Sequence, residues 1–131
     1  MGTWGVLPFE NDNALDWIWG LEEVGDTSVL MDALEAIADS EELDEDCEEA
    51  VAAAEVVAAL HGQPLAKLPD EVAAFVKTQS KQPLPTKLRK LASTAVQRIA
   101  EDSDLKDRWD ETKDAEKWQQ AMKDLLERLE E

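Results

Sequence analysis

From Ala50 to Leu60, ten of eleven residues are Ala, Val or Leu, and the exception is Glu55. No feature of the chain constrains its fold more. The run is bounded upstream by the acidic turn Asp44, Glu45, Asp46, Glu48 and Glu49 and downstream by Gly62 and Pro64. Acids suit the positive end of a helix dipole, and Gly followed by Pro suits a helix stop. The pattern predicts a helix over about 44–61 that is apolar nearly all round. Such a helix is stable only when neighbours cover every side of it. Its alanines let those neighbours come close.

The neighbours are legible as amphipathic segments. Asn11 or Asp12 offers an N-cap for a helix through about Glu23, with Leu15, Ile18, Trp19 and Glu22 at helical spacing and Trp17 off that face. Thr27 or Ser28 caps a second helix over 28–39, where Val29, Leu30, Ala33, Leu34, Ile37 and Ala38 oppose Asp32, Glu35 and Asp39. A short helix over 70–79 follows Pro69. A longer one over 86–102 buries Leu88, Leu91, Ala92, Ala95 and Ile99. Ser103 caps a helix over 104–111, and the last, over 114–130, aligns Trp118, Met122, Leu125 and Leu129. Gly2, Gly5 and Pro8 break residues 1–11 into a non-helical apolar arm. The expected fold is all-α: a single compact bundle of six to seven helices, with that N-terminal arm and the Ala-rich helix at its centre. The 131 residues fit one domain, 1–131.

Charge is distributed unevenly. Residues 1–66 hold 17 acids and no base, residues 67–100 seven bases and two acids, and residues 101–131 six bases and 12 acids, for a net charge of −18. The 67–100 segment can fold against the acidic half, leaving a solvated surface. Alternatively, the acidic half presents a field that draws in a basic partner. A +5 segment cannot neutralise −17, so the two are compatible. Direct nucleic-acid binding is disfavoured, since phosphate neutralisation by Lys and Arg supplies most of that affinity. No apolar run approaches the roughly 18–20 residues that span a bilayer, and no signal-peptide pattern opens the chain. A cytoplasmic location without membrane attachment is expected.

Few residues suggest chemistry. Cys47 is the only cysteine and stands among acids, which favours a quiet thiol. His61 is the only histidine and precedes a helix-ending glycine, which suits a capping or surface role. Acid pairs at i, i+3, such as Glu42/Glu45 and Asp46/Glu49, are expected by chance in so acidic a chain. No metal, cofactor or catalytic set is assigned. Glu55 allows three roles: exposure on a weaker helix face, a structural ion pair with Arg89 or Arg98, or a ligand-binding carboxylate. Asp12 and Asp16, beside Trp17 and near Trp4 and Phe9, suit a helix cap with an apolar contact. They also suit a small pocket of aromatic walls and carboxylates.

The opening Gly2-Thr3-Trp4-Gly5, then Phe9-Glu10-Asn11-Asp12-Asn13-Ala14 and Asp16-Trp17, resembles bacterial proteins of the domain-of-unknown-function 4259 family. That family typically begins Gly-x-Trp-Gly and continues Phe-x-Asn-Asp-x-Ala-x-Asp. Ala52-Ala53-Ala54-Glu55 with Gly62 and Pro64 is similar to its middle segment, and Trp109 and Trp118 to its tail. The resemblance implies a small protein with no assigned activity, and it draws attention to Trp4, Asp12, Asp16 and Glu55. The expected function is a non-enzymatic acidic binding protein of the inhibitor, immunity or DNA-mimic type, with a basic protein as partner. An alternative is a ligand- or divalent-metal-binding protein or enzyme that uses Asp12, Asp16 and Glu55 near Trp4 and Trp17. A third is a homodimer formed through the arm or the last helix.

Overall fold

Seven helices make up the computed structural model, which describes Phe9 and residues 11–39, 47–62, 68–79 and 84–130. They are α1 (Asp12–Val24), α2 (Ser28–Ala38), α3 (Cys47–Leu60), α4 (Asp70–Gln79), α5 (Thr86–Glu101), α6 (Asp104–Asp110) and α7 (Ala115–Glu130). No strand occurs among the described residues. The expected acidic turn at 44–46 and most of the N-terminal arm lie outside them.

Local chemistry explains most of the helix ends. Asn11 is the N-cap of α1, and its Oδ1 accepts from the Ala14 amide at 2.7 Å. Gly25 ends that helix in the left-handed region, with φ 74°, where a side chain would be strained. Gly62 does the same after α3, with φ 88°. Ser103 joins two helices: its hydroxyl donates to the Ile99 carbonyl at the end of α5 and accepts from the Lys106 amide in α6. The start of α2 differs from expectation. Thr27 occupies the cap position without a side-chain bond. Asp26 supplies the acceptor instead, taking both the Ser28 amide and the Ser28 hydroxyl.

The Ala-rich helix is the hub. Every residue of α3 from Cys47 to Ala59, save Glu49, is buried, and α3 packs against all six other helices. One apolar cluster joins Ala14, Ile18 and Leu21 of α1 to Leu30 and Leu34 of α2, Val72 of α4, Ile99 of α5, Leu105 of α6 and Leu125 of α7 through that helix. Side chains no larger than Val over most of α3 make this close approach possible.

α1 is rotated relative to the sequence expectation. Its buried stripe is Ala14, Ile18 and Leu21, at i, i+4 and i+7. Leu15 is 36% exposed and Trp19 is 74% exposed. A small Ala14 against the hub brings the helix closer than Leu15 or Trp19 would allow, so the larger residues lie outward. No helix among the described residues is long and apolar enough to cross a membrane.

Candidate functional site

Glu55 is fully buried in the middle of α3. Its partner is Arg128 of α7, not Arg89 or Arg98. The guanidinium faces the carboxylate with both terminal nitrogens, Nη1 to Oε1 and Nη2 to Oε2, the latter at 2.9 Å. Arg128 Nε meanwhile donates to Asp124 Oδ2 at 2.9 Å. A two-pronged bond of this kind matches the planar fork of Arg and satisfies a carboxylate that has left water. Burial alone would push the guanidinium down. The bonds and charge of Glu55, helped by Asp124, outweigh burial and hold Arg128 above its ordinary value.

Arg98 and Arg89 are used on backbone and ring groups instead. Arg98 of α5 donates Nη1 to the Ile37 and Ala38 carbonyls, at 2.6 and 2.9 Å, at the C-terminal end of α2. That end carries no base of its own, so Arg98 compensates the negative end of the helix dipole. Arg89 reaches the His61 ring at the end of α3, 3.0 Å from Nε2. The basic 67–100 segment therefore does fold against the acidic half, since α5 packs on α2 and α3. Its arginines meet carbonyls and an imidazole there rather than the carboxylates of α1 and α2.

Those carboxylates remain on the surface. Asp12, Asp16, Glu22, Glu23, Asp26, Asp32 and Asp39 are exposed and Glu35 is half-buried. Among the described residues no cation pairs with any of them. The ion pairs present join Lys106, Arg108, Lys117 and Arg128 to Asp110, Asp104, Glu48, Asp114, Glu55 and Asp124. Trp19 stands within this acidic face. Asp16 and Leu15 precede it by three and four residues and Glu22 and Glu23 follow at the same spacings, which makes all four its neighbours on the helix surface.

The residues singled out from sequence lie in different environments. Asp12 and Asp16 are exposed on α1, Trp17 is half-buried against the core, and Phe9 is 8% exposed within it. Glu55 is in the interior with Arg128. Trp4 lies outside the described residues. The carboxylates of α1 thus face solvent while Glu55 faces a guanidinium, and no group of three or more Asp, Glu, His or Cys among the described residues is arranged to hold a metal ion. Near the start of α3, Asn13 donates to Glu48 Oε1 at 2.9 Å, and Arg108 lies 4.0 Å from the same oxygen, which ties α1, α3 and α6 together. Cys47, which precedes Glu48 in the chain, is buried.

Arg128 was hidden from sequence reasoning by its distance along the chain. One signal was available: it is the only base in the last turn of α7, at the edge of the Trp118–Met122–Leu125–Leu129 stripe. The spacing of Trp19 from Leu15 fits a core face as well as an exposed one, and the structure exposes it.

The architecture defines an all-helical protein built around a buried Ala-rich hub, with an acidic face on its first two helices that no cation among the described residues pairs with. The chain belongs to the family described as a domain of unknown function, DUF4259, whose model matches residues 2–121. No curated protein and no solved structure matches the chain.

Proposed function

We propose that this is a non-enzymatic binding protein whose acidic half engages a basic protein surface. One observation carries the proposal. The exposed acids of α1 and α2 have no cation paired with them among the described residues, although α5, from the basic segment, packs against α2. An internally neutralised surface would have placed Arg98 or Arg89 on those acids. A field of one sign speeds encounter with an oppositely charged partner and sets its orientation, and a few apolar contacts then add affinity. Trp19, 74% exposed, is one such contact. A nuclease inhibitor, an immunity protein or a DNA mimic would work in this way.

Immobilised full-length protein exposed to native cell lysate at low and at high salt tests the proposal, with retained proteins identified by mass spectrometry. The expected result is a basic protein retained at low salt and released at high salt, which then forms a stoichiometric complex with the purified chain. Retention of no basic protein, or of a partner indifferent to salt, overturns it.

A further inference from the structure

A cleft of about 230 Å³ opens between the C-terminal half of α1 and α4. Ala74 and an edge of Phe75 give it an apolar wall over the buried Leu21, and the exposed residues Glu22 and Glu71 also line it. Gln79 fixes one end by donating to the Gly25 carbonyl at 2.8 Å, which holds the last turn of α4 to the cap of α1. Small-molecule and cofactor pockets usually measure roughly 300–1,000 Å³, so this space suits one long side chain better than a whole cofactor. Among the described residues no cation lines it. The last turn of α1, which ends at this cleft, also carries no base. Two acidic residues and the negative end of a helix dipole therefore border the same cleft.

We propose that this cleft receives an arginine or lysine side chain from a basic protein partner. The aliphatic stem would lie on the exposed Ala74 and the uncovered edge of Phe75, and the cationic head would sit between Glu22 and Glu71. Long basic side chains divide in this way between apolar surface and a polar outlet. Trp19 stands one turn before Glu22 on α1 and presents an exposed indole to the residues flanking that side chain. This site rests on the reading of the protein as an acidic binder and names the surface through which it binds.

The test is an NMR titration of the ¹⁵N-labelled full chain with two peptides, acetyl-Gly-Arg-Gly-amide and the same peptide with citrulline in place of Arg. Citrulline keeps the shape and removes the charge. The Arg peptide is expected to move the resonances of Glu22, Gly25, Ala74 and the Trp19 indole in a saturable way, and the citrulline peptide to bind much more weakly. Glu22→Gln combined with Glu71→Gln is expected to weaken the Arg peptide roughly tenfold, the loss of two partly shielded ion pairs. Asp32→Asn combined with Asp39→Asn removes the same charge from α2 and is expected to leave affinity within about twofold, as binding set by local contacts rather than overall charge requires.

Shifts spread over every acidic face, equal binding of both peptides, or equal losses from the two variant pairs would overturn the site. Concentration-dependent shifts in the cleft without peptide would assign it to a second copy of this chain and also overturn it. If a basic partner recovered from lysate binds the α2 face instead, the cleft proposal fails and the acidic-binder reading stands. If no basic partner binds at all, both fail.

Discussion

Replacing Arg128 with Ala strands a carboxylate at the centre of the molecule. Glu55 is 0% exposed, and its side chain is held in the hub helix, where it cannot turn toward water without unpacking α3. The Arg128 side chain is only 13% exposed, so the bond it makes is largely shielded from solvent. Removing one partner of such a pair typically costs about 3–5 kcal/mol, most of it the cost of the charge left behind. That is a large fraction of the roughly 5–15 kcal/mol by which domains of this size are stable. Urea unfolding followed by tryptophan fluorescence, with Trp118 buried on α7, reads the loss as a lower midpoint at unchanged slope. Protonating the stranded carboxylate relieves part of the cost, so the penalty should shrink as the pH is lowered toward the ordinary Glu value of about 4.3. Arg128→Lys keeps the charge and loses the fork, and should cost less than Arg128→Ala. Glu55→Leu combined with Arg128→Met removes both charges and should be more stable than Arg128→Ala alone. A loss below about 1 kcal/mol in Arg128→Ala, typical of a surface ion pair, would refute a shielded, structural role for the pair.

Four further outcomes follow from other contacts. Ala54→Leu forces three extra heavy atoms into a fully buried position of α3 and should lower stability by about 1–3 kcal/mol, read as a drop in melting temperature. Arg98→Ala uncaps the carbonyls of Ile37 and Ala38 and should cost about 1–3 kcal/mol, with hydrogen exchange accelerated first in the last turn of α2. Asn11→Ala removes the N-cap of α1 and should cost about 0.5–2 kcal/mol in the same unfolding assay. The Ser28 hydroxyl and amide hold Asp26 below its ordinary value of 3.8. The stability it contributes is therefore present above that value and lost as pH falls through the lowered one. Ser28→Ala should raise the Asp26 midpoint toward 3.8 in an NMR titration, and an unchanged midpoint would contradict the hydroxyl's part in lowering it.

Much of the helical layout was legible because its signals are local. Asn11, Ser103, Gly25 and Gly62 act at the positions where side-chain oxygens or a missing Cβ are needed, and the expected α2, α4, α5, α6 and α7 agree with the structure to within a residue or so at each end. The burial of α3 followed from composition alone, since an Ala/Val helix has no face to offer water. The orientation of α1 was not legible. Leu15 and Trp19 have core spacing, but so do Ala14, Ile18 and Leu21, and the size of the residue meeting the hub decided between them. The partner of Glu55 was hidden for a different reason. Every arginine is a chemically equivalent candidate until tertiary packing brings one of them within reach, and the one that meets Glu55 is 73 residues away. The cleft between α1 and α4 likewise arises from two helices whose contact nothing in their own sequences announces.

The measurement that bears most directly on function is the dissociation constant of the captured basic partner, determined by calorimetry across a series of salt concentrations. Exposed carboxylates meeting a basic surface predict affinity that falls steeply and continuously as salt rises. Affinity that stays flat across the series would contradict a central role for the acidic face of α1 and α2 in binding.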